Sequence, residues 1–239
     1  RVELHAHTTM SNMDAVVSVK NLVKTAARWG WPAVAVTDHG VVQAFPDAAK
    51  TVQDNKLDIK IIYGVEGYLV GDDYEQKRAN HIILLAKNPI GLQHLYQIIS
   101  LSHLKYLHRQ PRIPKIVLEE YREGLIIGSA CEAGELIRGI VEGRSDEELL
   151  KIAEFYDYLE IQPIGNNEFL KRSESFPNIQ TDDDLRNINR KVAELAKIQG
   201  KMLIATGDVH FLNPEDAIYR AILMKGKGFE DAECQPPLY

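Results

Sequence analysis

Two cysteines in 239 residues, Cys131 and Cys234, are too few for a disulfide framework and point to a reducing, cytoplasmic compartment. No stretch approaches the roughly 20 uninterrupted apolar residues that a membrane span needs. No basic leader followed by an apolar core opens the chain, which reads as a strand from Val2 onward. The sequence has no Gly-x-x-x-x-Gly-Lys-Ser/Thr phosphate loop and no Gly-x-Ser-x-Gly elbow, so neither of those signatures carries its chemistry. It has no excess of positive charge either: the formal charge is −6, and any nucleic-acid contact must be local. An initiator Met is missing at one end and a capped or polar tail at the other, where Glu233-Cys234-Gln235-Pro236-Pro237-Leu238-Tyr239 simply stops. The expectation is a single domain, 1–239, cut from a longer protein.

An apolar fraction of 45% and a charged fraction of 26% are those of an ordinary folded chain, and the length can bury a sizeable core. Short β-type apolar runs fall at 2–6, 33–37, 59–65, 81–86, 125–128, 158–162 and 202–206. Amphipathic helix patterns lie between them, at 19–29, 45–55, 91–101, 116–121, 132–141, 147–155, 183–199 and 215–224. Ser145-Asp146-Glu147-Glu148 and Thr181-Asp182-Asp183-Asp184 fit the capping box, and Asn88-Pro89 and Asn213-Pro214 put a capping Asn before a first-turn Pro. Strand–helix alternation over the whole length predicts a parallel α/β architecture, and seven strands suit a barrel better than two lobes. The polar stretch 165–184 reads as a loop insertion.

In an α/β barrel the site lies where the strands end. The residues there are of metal-binding types: His5-Ala6-His7 on the first strand, Asp14 in the loop after it, Thr37-Asp38-His39-Gly40 after the second, Glu66 at the end of the third, His81 opening the fourth, Cys131 after the fifth, and Asp208-Val209-His210 after the last. Side chains two apart on a strand share a face, so His5 and His7 can reach one cation. Asp208 and His210 repeat that spacing on the strand that neighbours the first in a closed barrel. Singly the others have plainer readings. Asp38-His39-Gly40 fits a turn, Asp14 and Glu66 fit helix caps, His81 fits surface polarity and Cys131 a small buried apolar residue. Together they do not, because five of the eight histidines sit at strand ends.

His94, His103 and His108 read as surface residues, Trp29 and Trp31 as packing around Gly30, and Cys234 as incidental. His103, Lys105, His108, Arg109, Arg112 and Lys115 form a local basic cluster that fits either a solvated loop or phosphate contact, with Arg109, Arg112 and Lys115 the candidates for DNA.

These motifs resemble the PHP (polymerase and histidinol phosphatase) family over nearly the whole chain, from Val2 to about Met224. The stretches Val2-Glu3-Leu4-His5-Ala6-His7-Thr8, Met10-Ser11, Met13-Asp14-Ala15, Ala35-Val36-Thr37-Asp38-His39, Val42-Gln43-Ala44-Phe45-Pro46, Ile62-Tyr63-Gly64, Pro111-Arg112-Ile113-Pro114 and Leu212-Asn213-Pro214-Glu215-Asp216 are similar to the branch of that family found in PolC-type bacterial replicative DNA polymerases, while Gly128-Ser129-Ala130-Cys131 resembles the family at large. The resemblance implies a distorted seven-stranded (β/α)7 TIM-like barrel with two to three divalent metals, zinc, manganese or iron. It implies that His5, His7, Glu66 and Asp208 hold one ion, that Glu66, His81 and Cys131 hold a second, and that Asp14, His39 and His210 hold a third. A thiolate at the second would favour zinc. PolC-type polymerases carry a proofreading exonuclease inserted in this domain; here the corresponding place, near 71–75, is a short loop. The polymerase palm is also absent. The implied partners are the remainder of a polymerase chain and, through it, DNA. The implied function is a metal domain that buttresses the polymerase, or alternatively a metal-dependent phosphoesterase or 3′–5′ exonuclease.

Overall fold

The computed structural model describes residues 1–11 and 13–228. One sheet organises them. Its main path runs β1 (Val2–Glu3), β2 (Ala33–Val36), β3 (Lys60–Val70), β4 (Asn80–Ala86), then β7 (Leu125–Gly128), β8 (Tyr158–Ile161) and β9 (Met202–Ala205). The two ends of this seven-strand path meet beyond β1 and β9. There Ala6 bridges Val209 in parallel, with His7 N–H donating to the Val209 carbonyl at 2.7 Å and Val209 N–H to the His5 carbonyl at 3.0 Å. The expected curled α/β sheet is present. A short hairpin of β5 (Leu107–His108) and β6 (Gln110–Pro114), absent from the sequence expectation, adds to the outer half of β3.

The main path of the sheet is parallel except at β4, which runs antiparallel to both β3 and β7. The cause is the connection: residues 71–79 are too few for the helical crossover that a parallel neighbour needs, so the chain turns back as a hairpin. Reversal places the start of β4, with His81, at the same end as the C-terminal ends of the other strands.

Helices clothe the outer face: α1 (Val19–Arg28), α2 (Phe45–Asn55), α3 (Pro89–Leu104), α4 (Lys115–Glu120), α5 (Glu135–Val141), α6 (Asp146–Glu154), α7 (Asp182–Gln199) and α8 (Ala217–Gly226). The capping boxes expected at Ser145/Glu148 and Thr181/Asp184 start α6 and α7, and the Asn88 side chain accepts from Gly91 N–H at α3. The Asn213-Pro214 signal starts a 3-10 turn that leads into α8. Much of the polar stretch after β8 is a 3-10 helix, Ile164–Arg172, where a plain loop was expected.

Between sheet and helices lies the main core, in which Leu84, Ile98, Leu136 and Val192 are fully buried. All of β2 is buried, as expected for a strand covered on both faces. A smaller cluster inside the curl joins Ala35, Ile83, Leu85, Ala130 and Tyr158. Trp31 packs against the main core, whereas Trp29 is exposed, its ring tilted against that of Trp31. Cys234 lies outside the described residues.

Candidate metal centre

The strand ends bring seven of the nine expected side chains together, Glu66 joins them from within β3, and the loop after β1 adds the ninth, Asp14. The backbone register explains how. Because Ala6 pairs with Val209, the flanking His5, His7, Asp208 and His210 project to the face opposite that pair. Glu66 pairs with Ile83 and Tyr68 with His81, so Glu66 and His81 are diagonal neighbours on one face of the β3–β4 pair. His39 bridges Glu66 in parallel, and His81 bridges Gly134, which draws in the turn carrying Cys131. Glu66 itself lies inside β3, not at its end as expected, because β3 runs on to pair with β6.

The distances converge. Nε2 of His5 lies 3.1 Å from Nε2 of His7, 3.2 Å from Glu66 Oε1 and 3.3 Å from Asp208 Oδ1. Nε2 of His7 lies 3.4 Å from both Glu66 Oε2 and Asp208 Oδ1. On one side, His81 Nδ1 is 2.9 Å from Glu66 Oε1, and Cys131 Sγ is 3.4 Å from each. On the other, His39 spans Glu66 Oε2 at 2.8 Å and Asp14 Oδ2 at 2.9 Å, with His210 Nε2 3.4 Å from the same Asp14 oxygen. Groups of these donors close enough to share one ion are His5/His7/Asp208, His39/Glu66/His81 and His7/His39/His210.

Neighbouring residues fix which nitrogen of three of the histidines, His5, His7 and His210, faces the centre. His5 Nδ1–H donates to Glu160 Oε1 at 2.7 Å, and that buried carboxylate is held in turn by Thr206 and Gln162. His7 Nδ1 lies 2.9 Å from Ser11 Oγ. Ser11 spends its own hydrogen on Asp38 Oδ1 at 2.7 Å, so its oxygen accepts from His7. His210 Nδ1–H donates to the Asp208 carbonyl at 2.8 Å. All three rings therefore turn an Nε2 lone pair inward, the arrangement by which second-layer partners prepare metal-binding imidazoles. Two lone pairs 3.1 Å apart repel unless a cation or a proton lies between them. Among the described residues, Asp208 Oδ1 is buried with three imidazoles around it and no hydrogen-bond partner, and Glu160 Oε2 is likewise unpartnered. The donor set fits a cluster of divalent cations.

The electrostatics show the same demand for positive charge. Burial opposes charge on His5, yet Asp208, Glu160 and Glu66 outweigh it and hold its pKa well above the ordinary value. Burial, His210 and His39 together push its neighbour His7 down to about 3. His39 is pushed up to about 10, Glu66 and Asp14 prevailing over burial. Against burial, Glu66 is held well below the usual carboxylate range by His81, His5 and His39, and Asp14 by His210, His39 and Arg220. Burial and the nearby acids Glu132, Glu66 and Asp208 push the Cys131 thiol up.

Backbone strain sits in the same place. Of the five described non-glycine residues with positive φ, Lys56 caps a helix and Arg109 turns the β5–β6 hairpin. The other three are Asp208 (52°), Ala130 (59°) beside Cys131, and Met13 (54°) beside Asp14. Each costs about 1–3 kcal/mol and persists where the surroundings dictate it.

Sequence reasoning missed several supporting residues: Glu160 behind His5, Ser11 with Asp38 behind His7, and Arg220 of α8, which donates to Asp14 Oδ1 at 2.7 Å in a buried pair. It also passed over Glu132, expected as the first residue of a helix that in fact starts at Glu135. The DNA candidates fare unequally. Arg112 is buried and donates to the Tyr74 carbonyl at 2.7 Å and to the Gln76 carbonyl; it ties down the β3–β4 connection and is not available to phosphate. Lys115 pairs with Glu135 at 2.9 Å, and Arg109 is exposed on its hairpin turn. His103 is exposed and His94 half-buried; they bond to the Gly40 and Glu123 carbonyls respectively.

Comparison with known proteins gives the family. The family model of the PHP domain matches residues 3–163. The chain is 52% identical over 174 residues to the PolC-type DNA polymerase III of Clostridium perfringens, 73% of this chain and 12% of that protein. It is 49% identical over 187 residues to the PolC-type enzyme of Caldanaerobacter subterraneus, 77% of this chain and 13% of that protein. The match to the Bacillus subtilis PolC-type enzyme is 44% over 155 residues, 65% of this chain and 10% of that protein. The chain thus spans only a small part of these relatives' length. Among solved structures, an amidohydrolase from Chromobacterium violaceum with bound sulfate superposes with a TM-score of 0.51 at 13% identity, over 88% of this chain and 87% of that one, a likeness of fold. The chain belongs to the PHP domain family.

Proposed function

We propose that this chain is the PHP domain of a bacterial PolC-type replicative DNA polymerase, a single unit over 1–239 working in the cytoplasm, and that it holds two to three divalent metals. His5, His7, Glu66 and Asp208 would hold one ion, Glu66, His81 and Cys131 the second, and Asp14, His39 and His210 the third. The observation that carries this reading is the set of three fixed tautomers, each aiming an Nε2 lone pair at a buried, incompletely satisfied group of carboxylates. Thiolate and imidazole suit zinc at the second position; the remaining N/O donors suit zinc, manganese or iron.

The main role we assign to the centre is structural. It ties β1, β3, β4, the β7–α5 turn and the segment after β9 to one another, so cation binding becomes folding free energy for a domain that buttresses the polymerase. A second reading, phosphoester hydrolysis, draws support from the exposure of part of the site: the His81, His39 and Asp14 side chains are 20%, 15% and 11% exposed, while His5 and His7 are sealed. Bound divalent cations supply phosphate-charge neutralisation and an activated water near neutral pH. The protein's part would be to keep Glu66 ionised between three imidazoles and to leave His39 and His81 at the mouth.

Elemental analysis of chelator-free protein tests the first reading, with two or three ions per chain expected and fewer than one overturning it. Assays on a 3′-recessed DNA duplex and on a small phosphomonoester separate the roles. Turnover that disappears with chelation and returns with metal establishes hydrolysis; retained metal without turnover leaves the structural role.

A further inference from the structure

We propose that Glu132 supplies a tenth donor to the centre, at the position of Cys131, His81 and Glu66, and thereby closes that position to water. The inference rests on the reading of the cluster as a metal centre. Ligand atoms of Cys131, Glu132 and Asp208 lie within 4.8 Å of one another. Cys131 Sγ is also 3.4 Å from both Glu66 Oε1 and His81 Nδ1, so Glu132 joins a thiol that already touches two donors. Consecutive side chains of an extended strand point to opposite faces. Here the left-handed Ala130 opens a turn, and both Cys131 and Glu132 reach the same cluster.

Two observations show that this corner calls for a cation. Glu132 is a partly buried acid and, among the described residues, no lysine or arginine lies within ion-pair distance of it: Arg138, which shares its cavity and feels its charge, spends its hydrogens on the Ala79 carbonyl and Asn80, and the groups acting on Glu132 are Asp208, His81, Cys131 and Glu66. Asp208, in the same group, is buried with Oδ1 lacking any hydrogen-bond partner. Carboxylates gathered in this way are costly unless a cation neutralises them.

The consequence is functional. A zinc ion with three protein donors keeps a place for water or substrate, whereas one with four does not. Thiolate, imidazole and the two carboxylates of Glu66 and Glu132 make four. The second cation is then structural, and any hydrolytic chemistry falls to the other two positions. Glu132 also lines a cavity of about 210 Å³ with Arg78, Arg138, Phe169 and Phe176. Removing its carboxylate would open a path along which the two guanidinium groups draw an anion toward Cys131.

The test uses the full chain loaded with cobalt(II). Only a cation bound to a thiolate gives the near-ultraviolet sulfur-to-cobalt band, and Cys131→Ser, by erasing it, assigns the band to this position. In the wild type we expect added inorganic phosphate to leave the band unmoved. In Glu132→Ala, phosphate should shift it, and competition with a chelator should show cobalt held roughly 10–100-fold more weakly. Glu132→Gln, which preserves shape, should weaken retention in the same direction and guards against a folding defect. A phosphate-sensitive band in the wild type, or wild-type retention and phosphate response in both variants, overturns the tenth donor while leaving the nine-residue centre standing. Failure of the wild type to take up cobalt overturns both.

Discussion

The two ends of the curled sheet are made from the same strands and differ in almost every physical respect. At the lower end Leu4, Ile62, Leu85, Ile126, Tyr158 and Ile204 line an apolar cavity of about 550 Å³. Four residues further along the same face of β3, Ile62 gives way to Glu66, and four residues back along β4, Leu85 gives way to His81. Ile204 gives way to Asp208 in the same interval. Apolar packing is non-directional, and the lower end tolerates a void. The upper end depends on direction: three imidazoles are each oriented by a partner, three residues are strained, and among the described residues two buried polar atoms, Asp208 Oδ1 and Glu160 Oε2, lack one. The lower end holds the strands together; the upper end needs something positive before it can rest.

The largest effect expected from breaking this contrast is at Glu66. Its two oxygens approach His5, His7, His39, His81 and Cys131, so removing it strips donors from more than one cation and leaves neighbouring imidazoles without their shared counter-charge. Glu66→Ala should lose more than one ion per chain and cost more than about 4 kcal/mol, in the range of the strongest single substitutions. Metal content and calorimetric melting across the nine ligand positions check this. A Glu66→Ala protein that keeps wild-type metal would show that the carboxylate is not shared.

The lower end gives the opposite forecast. Leu85→Ala enlarges a cavity that already exists, so the cost should fall near the bottom of the usual range for such a truncation, about 2–3 kcal/mol, with the metal content untouched. Denaturant midpoints and elemental analysis on one preparation suffice. Loss of metal together with stability would mean that the two ends are coupled and the contrast is wrong.

What the sequence made legible follows the same division. His5/His7 and Asp208/His210 could be read because period-two spacing on a strand needs no knowledge of neighbours. Glu66 could be picked out, but its place inside β3 could not. The strand continues because β6 pairs with it, and that hairpin is two short segments around Arg109 with weak local pattern. The reversal of β4 was hidden for the same reason: strands expected at 59–65 and 81–86 leave fifteen residues between them, room enough for a crossover, and only the extension of β3 to Val70 shortens the connection to a hairpin. Glu160 lies 155 positions from the histidine it orients, and Arg220 lies 206 from Asp14; no local signal announces such pairs. Arg112 was misread because a basic run in sequence says nothing about which cation is turned inward.

Glu160 offers a subtler break, since it touches no proposed cation. Glu160→Gln keeps the shape but weakens the bond that fixes the His5 tautomer. Loss of such a partner elsewhere costs roughly 10–100-fold in metal affinity, and the same is expected here. Chelator competition measures it. An unchanged affinity would mean that packing alone orients His5.

The smallest effect is in the metal-free protein, where protons must stand in for cations. His39 has its pKa raised to about 10 by Glu66 and Asp14 against burial. A raised folded-state value means that its contribution to stability is fully present below the unfolded value of about 6.5 and is lost as pH climbs through about 10. His7, pushed down to about 3, acts in the other direction, costing stability as pH falls below about 6.5. Chelator-treated protein should therefore be most stable between these limbs. His39→Gln should flatten the alkaline limb, by about 2–4 °C in melting temperature for each kcal/mol removed. Metal loading should flatten the same limb in the wild type, because the cation displaces the proton. Melting curves between pH 7 and 10, with and without metal, decide it. If His39→Gln and wild type decline in parallel in the metal-free state, the proton is not held where Glu66 and Asp14 place it.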